Sequence, residues 1–210
     1  MLPKPLTILA FDTAGPWIEA CLLLGDGRTF HRREAMEKGQ AERLMPVLAQ
    51  VLAEAGLGWA DLDRLAVGTG PGNFTGVRIS VAAARGLALG LGIPALGISR
   101  LEALAHGLPR PVTVVEDARR EEAYVQHFGA EGAGTAQLCG RGALALSGAI
   151  SGPVTGSAAG PDALPPAMDL TRAMAEIALE RRLPQPRPAP FYLRGADAAP
   201  PADPPPVILP

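Results

Sequence analysis

The sequence is short of cysteine, histidine, aromatic side chains and net charge, and most of these shortages close off a class of function. Cys21 and Cys139 have neither a second cysteine nor a histidine at metal-ligand spacing, so they read as two reduced, buried thiols rather than a disulfide framework or a zinc site. The three histidines, His31, His106 and His127, are far apart, and no two stand four residues apart on a helix as a metal pair requires. A formal net charge of −2 over 210 residues offers no basic footprint for nucleic acid, so any role there runs through a partner. No run approaches 18 uninterrupted apolar residues and no charged leader precedes an apolar core; a soluble protein kept inside the cell is expected. Gly-x-Ser-x-Gly is also missing. Ser80, Ser99, Ser147, Ser151 and Ser157 therefore stand without a nucleophile elbow, and Gly156-Ser157-Ala158-Ala159-Gly160 reads as a loop lining a remnant cleft.

What is present centres on Leu65 to Gly92. An apolar strand, Leu65–Thr69, leads through the turn Gly70-Pro71-Gly72-Asn73-Phe74-Thr75-Gly76 into a helix over Val77–Leu91. The turn has no lysine for a P-loop, and its third glycine falls one residue late for a dinucleotide fingerprint. In the helix, Ala82, Gly86 and Gly90 recur every fourth residue beside a second small row, Gly76, Ser80 and Ala84. A helical glycine costs about 1 kcal/mol relative to alanine. Close packing must offset this, either within the chain's own core or against a partner's helix.

The rest of the chain supplies a frame for that unit. Strands are expected at Leu6–Phe11, Ile18–Leu24 and Thr29–Glu34, the last two joined by a hairpin at Gly25-Asp26-Gly27. A helix follows over Ala41–Ala55, with Leu44, Leu48, Val51, Leu52 and Ala55 on one stripe, Pro46 in its first turn and Gly56 ending it. After the strand Ala95–Ile98, Ser99 and Glu102 form a capping box for a helix to His106. Three strands, helix, strand, helix, strand is the order of the ribonuclease-H-like lobe found twice in actin, Hsp70 and sugar kinases. A reduced repeat follows: strands at Val112–Glu116, Ala123–Phe128, Gln137–Cys139 and Val154–Thr155, a weak helix over Gly142–Ile150, a clear one over Met168–Arg182, and a last strand at Phe191–Leu193. Ten prolines between Pro184 and Pro210 predict an extended or disordered tail. The expected architecture is α/β: a two-lobed actin-like (ASKHA, ribonuclease-H-like) fold with a reduced second lobe. Its divisions are 1–108, 109–195 and a proline-rich tail at 196–210.

Gly70-Pro71-Gly72-Asn73-Phe74-Thr75-Gly76-Val77-Arg78-Ile79, with Ala84-Arg85-Gly86-Leu87-Ala88, resembles the motif of the TsaB (YeaZ) family, a non-catalytic subunit in bacterial synthesis of threonylcarbamoyladenosine on tRNA. Further matches are Ile8-Leu9-Ala10-Phe11-Asp12-Thr13-Ala14, Glu42-Arg43-Leu44-Met45-Pro46, Asp117-Ala118-Arg119 and Phe191-Tyr192-Leu193-Arg194. The likeness spans nearly the whole chain, strongly before about Leu104 and patchily after it. It implies a cytoplasmic scaffold without catalytic residues, cofactor, metal or membrane contact. Such a scaffold pairs with the catalytic subunit TsaD, recruits the ATPase TsaE, and serves adenosine 37 of ANN-decoding tRNAs only through the complex. It also implies a possible homodimer when alone. Its first two helices would face TsaD, with Leu44, Leu48, Phe74, Val77 and Val81 chosen for the centre of the contact. Two positions depart from the family: Gln40, where many relatives carry histidine, and Glu116, where they place an apolar residue.

Catalytic members of the actin-like superfamily hold a metal-bound water with an aspartate after the first strand, the place of Asp12 here. Thr13-Ala14-Gly15-Pro16-Trp17 lacks the accompanying Asp-x-Gly-[Ser/Thr], and proline removes an N–H donor. The equivalent second-lobe loop, Asp117-Ala118-Arg119-Arg120-Glu121-Glu122, has no glycine and ends in two carboxylates. Asp12, Asp117 and Arg119 therefore outline a vestigial cleft, with Asp12 capping its own turn. The alternative is a divergent ATPase or small-molecule kinase with Asp12 holding Mg²⁺; a glycopeptidase would need the metal pair or triad that is missing. Arg78, in the first helical turn, calls for a carboxylate from a partner or, as favoured, from its own chain. Arg119 reads as a solvated turn residue with anion binding as the alternative.

Overall fold

Strand β1 (Ile8–Asp12) is buried along its whole length, as a strand covered on both faces must be, and the first sheet is assembled around it. β2 (Trp17–Leu23) returns antiparallel to it, pairing Ile8 with Leu23 and Asp12 with Glu19. β3 (Thr29–Ala35) lies outside β2 with alternating exposed residues, a polar edge. β4 (Arg64–Gly68) and β5 (Ala95–Ile98) join in parallel on the other side, so the order is β3-β2-β1-β4-β5. This is the expected ribonuclease-H-like topology. The computed structural model describes residues 5–144 and 152–194.

Helices α1 (Gln40–Glu54) and α2 (Phe74–Leu91) cover one face of this sheet, where Leu44, Leu48 and Val51 meet Leu9, Phe11, Ile18, Leu65 and Val67. α3 (Arg100–Ala105) and α5 (Leu170–Glu180) cover the other, where Leu101, Met174 and Ile177 share a core with Ile8, Ala66 and Leu96. The second sheet, β6 (Val112–Arg119), β7 (Glu122–Phe128), β8 (Gln137–Gly140) and β9 (Val154–Thr155), has the order β8-β7-β6-β9. Among the described residues it repeats the first sheet's order with four strands, one fewer than expected. Its Val112, Val114, Tyr124 and Phe128 complete the core that α5 seals. The short α4 (Arg141–Leu144) begins the expected helix over Gly142–Ile150, most of which lies outside the described residues, as does the proline-rich stretch 196–210.

Several local expectations need correction. Pro46 lies in the second turn of α1, not the first, where its ring removes the N–H that would reach the Glu42 carbonyl. α2 begins at Phe74 because the Asn73 side chain accepts from the Gly76 amide at 2.9 Å, drawing Phe74, Thr75 and Gly76 of the predicted turn into the helix. Ser99 caps α3 as expected, accepting from the Glu102 amide at 3.0 Å, but the Glu102 carboxylate pairs with Arg181 instead of reaching back. Phe191–Leu193 forms no strand; one backbone bond, Phe191 N–H to the Thr69 carbonyl at 2.8 Å, pins that segment beside β4. Cys21 is buried, which pushes its thiol up to about 12, whereas Cys139 is only half-buried.

α5 is held by a carboxylate far away in sequence. Asp169 at its N-cap makes no side-chain capping bond; Glu19 of β2 accepts from the Thr171 N–H at 3.0 Å and from its hydroxyl at 3.2 Å. His31 Nε2 lies 3.4 Å from the same Glu19 oxygen, and Arg33 4.0 Å from the other. The terminal helix is thus capped in trans by the first sheet.

Candidate functional site

At the floor of the crevice between the sheets, the Asp12 carboxylate is sealed from solvent. Asp12 is fully buried; its Oδ1 accepts from the Ala14 N–H at 3.0 Å, and its Oδ2 faces Gly68, where an added Cβ would lie 1.9 Å away. Burial pushes the Asp12 carboxyl above its usual range, against the opposing pull of Arg100 and the Ala14 amide. Oδ2 has no hydrogen-bond partner among the described residues. The glycine-rich turn bonds to the β1–β2 turn itself: Thr13 Oγ1 donates to the Gly76 carbonyl at 2.6 Å, and the Asn73 N–H donates to the Ala14 carbonyl at 2.8 Å. A Cβ at Gly76 would meet the Thr13 carbonyl at 1.9 Å, so this glycine serves close approach of two backbones rather than an anion.

The second-lobe side is equally occupied. Asp117 accepts from the Arg119 N–H at 3.0 Å and from Arg141 Nη2 at 2.6 Å, and the Arg119 amide bond with Arg141 holds its carboxyl low. Arg119, Arg120 and Glu121 all carry left-handed backbone, φ 60°, 53° and 56°, which glycine would adopt more cheaply. Arg194 braces this turn, donating to the Ala118 carbonyl at 2.8 Å and to Glu122 at 2.5 Å. Arg119 is exposed and lines a cavity of about 610 Å³ with Lys38, Asn73 and Thr75. The unusual Glu116 accepts from the Ser157 N–H and hydroxyl at 3.1 and 3.0 Å and faces Arg100 at 3.4 Å, so its carboxylate is balanced internally. Gln40 donates to the carbonyls of Gly15 and Trp17 at 2.8 and 3.1 Å, tying the start of α1 to the β1–β2 turn. Among the described residues no group of three histidine, cysteine or carboxylate side chains is placed to hold a metal ion.

The outer faces of α1 and α2 are open. Only Gly76, Val77, Ser80, Val81 and Ala84 of the 18 residues of α2 are buried, although the helix is long and apolar enough to span a membrane. Its two small-residue rows divide the alternatives left by the sequence. Gly76, Ser80 and Ala84 face the sheet; Ala82, Gly86 and Gly90 face outward, and a Cβ at either glycine would touch nothing. Leu89 is 86% exposed beside them. On α1, Ala41, Met45, Ala49 and Ala53 present a matching outward row.

Of the five residues expected at the centre of a contact, Leu44, Leu48, Val77 and Val81 are buried in the chain's own core and only Phe74 is exposed. The most apolar stripe of a helix satisfies its own core first. The outward rows were legible as alanines and glycines four apart on the opposite side. Arg78 has no salt bridge among the described residues; its guanidinium lies 3.8 Å from the centre of the Phe74 ring and donates to the Tyr192 hydroxyl at 2.9 Å. Phe74 and Tyr192 stack with ring centres 5.1 Å apart.

The chain is similar to known proteins in sequence and in fold. A family model described as TsaD, tRNA N6-adenosine threonylcarbamoyltransferase, matches residues 34–161, more than half the chain. The tRNA threonylcarbamoyladenosine biosynthesis protein TsaB of Haemophilus influenzae is 40% identical over 126 residues, covering 57% of this chain and 52% of that protein. TsaB of Escherichia coli is 39% identical over 126 residues, 57% and 53% of the two chains. The solved structure of YeaZ from Pseudomonas aeruginosa superposes with a TM-score of 0.68 at 27% identity, covering 90% of this chain and all of that one. The chain belongs to the TsaD-like proteins and, among them, to the TsaB (YeaZ) family. Its fold is accordingly the α/β actin-like one, and its family works in threonylcarbamoyladenosine biosynthesis on tRNA. The matched part spans about half the length of the curated TsaB relatives. The TsaD model's match begins at residue 34, near the end of β3, and runs through α1 and α2 into the second sheet, so the open α2 face lies within it.

Proposed function

We propose that this TsaB-family chain is the non-catalytic scaffold subunit of the complex that transfers threonylcarbamoyl to adenosine 37 of tRNA, binding and activating a TsaD-like catalytic subunit. One observation carries the reading: an apolar helix, α2, has only five of its 18 residues buried, and its outward row of Ala82, Gly86, Leu89 and Gly90 has a counterpart in the exposed row of the neighbouring α1. Small residues at four-residue spacing admit a partner helix to close range. Covering Phe74, Met45 and Leu89 would contribute roughly 1.5–3 kcal/mol for each side chain fully buried. By binding only the ordered form of the catalytic subunit, the scaffold would stabilise that form.

The rest of the reading follows from the family. A TsaE-like ATPase joins the complex in the cytoplasm, tRNA is met only through the complex, and without its partner the chain pairs with itself on the same face. The lobes divide at 1–108 and 109–195, with α5 carried back beneath the first sheet. The divergent-kinase alternative requires Mg²⁺ at Asp12, whose burial and contact with Gly68 argue against it. The test is genetic and chemical together. Deleting the chain should remove threonylcarbamoyladenosine from digested tRNA, and extra TsaD with TsaE should fail to restore it. Restoration by those two alone would end the proposal.

A further inference from the structure

A groove of about 670 Å³ runs beside the open face, between the second half of α2 and residues 183–188. Its apolar lining is Ala88, Ile93 and Leu183 with the exposed Leu89 at its edge, and no aspartate or glutamate lines it. Arg85 and Arg187 stand at its rim, both exposed, and among the described residues neither makes an ion pair or a side-chain hydrogen bond. Two solvated cations beside an apolar channel with no counter-charge form a surface complementary to an acidic, partly apolar segment. The groove shares Arg85, Gly86 and Leu89 with the outward face of α2, so whatever covers that face reaches it.

We propose that the groove receives an acid-flanked apolar segment of the same catalytic partner, one aliphatic side chain meeting its apolar lining while neighbouring carboxylates pair with Arg85 and Arg187. This rests on the scaffold reading above and extends the contact beyond the two helices onto the segment after α5. A nucleic acid is the poorer occupant: no aromatic ring lines the groove for a base to stack on. An arginine pairs with a carboxylate through two parallel bonds, so the site selects position as well as charge.

The experiment is a calorimetric titration of the full chain with its TsaD-like partner at several salt concentrations, comparing wild type with R85E/R187E. The double variant should keep the wild-type urea midpoint, still form the complex, and bind about ten-fold or more weaker with a flatter salt dependence. Wild-type chain that binds no partner sinks the scaffold reading and this inference together. A complex that forms with R85E/R187E at unchanged affinity and salt dependence overturns this inference alone. Truncation after Arg194 that tightens binding would mean that the chain's own residues fill the groove, again overturning it. So would tRNA retention by the isolated chain that R85E/R187E abolishes.

Discussion

Replacing Glu19 should loosen the last helix before it disturbs anything else. Glu19 is 3% exposed and receives both the amide and the hydroxyl of Thr171, at 3.0 and 3.2 Å. Hydrogen bonds to a charged group contribute about 1.5–3 kcal/mol each, and removal of one partner leaves the others buried and unpaired. Glu19→Ala is therefore expected to cost roughly 3–5 kcal/mol, close to the penalty for breaking a buried ion pair. Glu19→Gln, which keeps an acceptor for Thr171, should lose less than half of that.

The same cluster sets a pH window. Burial alone would raise the Glu19 carboxyl, but its bonds to His31 and Thr171 outweigh this and hold it low. Its contribution is present above the unfolded value of about 4.3 and fades as pH falls through the depressed folded value. His31 is raised, first by its hydrogen bond to Glu19 and further by Asp169, against the opposing effects of burial and Arg33. Its contribution is complete below the unfolded value of about 6.5 and fades as pH rises through the raised folded one. Stability from the pair should thus be greatest between about pH 4.3 and 6.5. Urea titrations at pH 5.5 and 8, with amide exchange of residues 171–174, measure both effects. His31→Gln should remove the decline toward pH 8. An unchanged decline in that variant, or Glu19→Ala with wild-type exchange in α5, would refute the reasoning.

Three further outcomes follow from the crevice and the aromatic cluster. Gly76→Ala should destabilise the fold by about 3 kcal/mol or more in urea, since the added carbon meets the Thr13 carbonyl at 1.9 Å, a backbone atom that cannot swing aside as a flexible side chain would. Asp12→Asn should leave stability near neutral pH within about 1 kcal/mol, because burial already disfavours the charge, and calorimetry with Mg-ATP should give no heat that depends on Asp12. Arg78→Ala should cost about 1 kcal/mol through the lost ring contacts and raise protease sensitivity near Tyr192, and Tyr192→Phe should reproduce only the hydrogen-bond part.

Local patterns carried the first lobe. Apolar continuity placed β1 and β4, Ser99 announced α3, and the glycine spacing singled out α2 as the unit to explain. The errors came where distant residues decide. Nothing near Thr171 indicates that Glu19, 152 residues earlier, caps its helix, and nothing near Glu116 names Arg100 as its partner. The start of α2 was hidden because Phe74 and Thr75 follow a proline and two glycines, and only the Asn73 cap converts them to helix. Four of the five residues chosen for the contact are buried for a related reason. Leu44, Leu48, Val77 and Val81 satisfy the periodicity that any core-facing stripe satisfies, whereas the outward alanines and glycines identify themselves only once the sheet shows which side is in.

The outward face of α2 is tested most directly by titrating a TsaD-like subunit with wild type and with Leu89→Asp, a substitution at a side chain 86% exposed. The account predicts an unchanged urea midpoint and binding weakened on the order of thirty-fold or more, as for a residue central to an interface. Wild-type affinity in Leu89→Asp, with tRNA modification intact in cells carrying it, would contradict it.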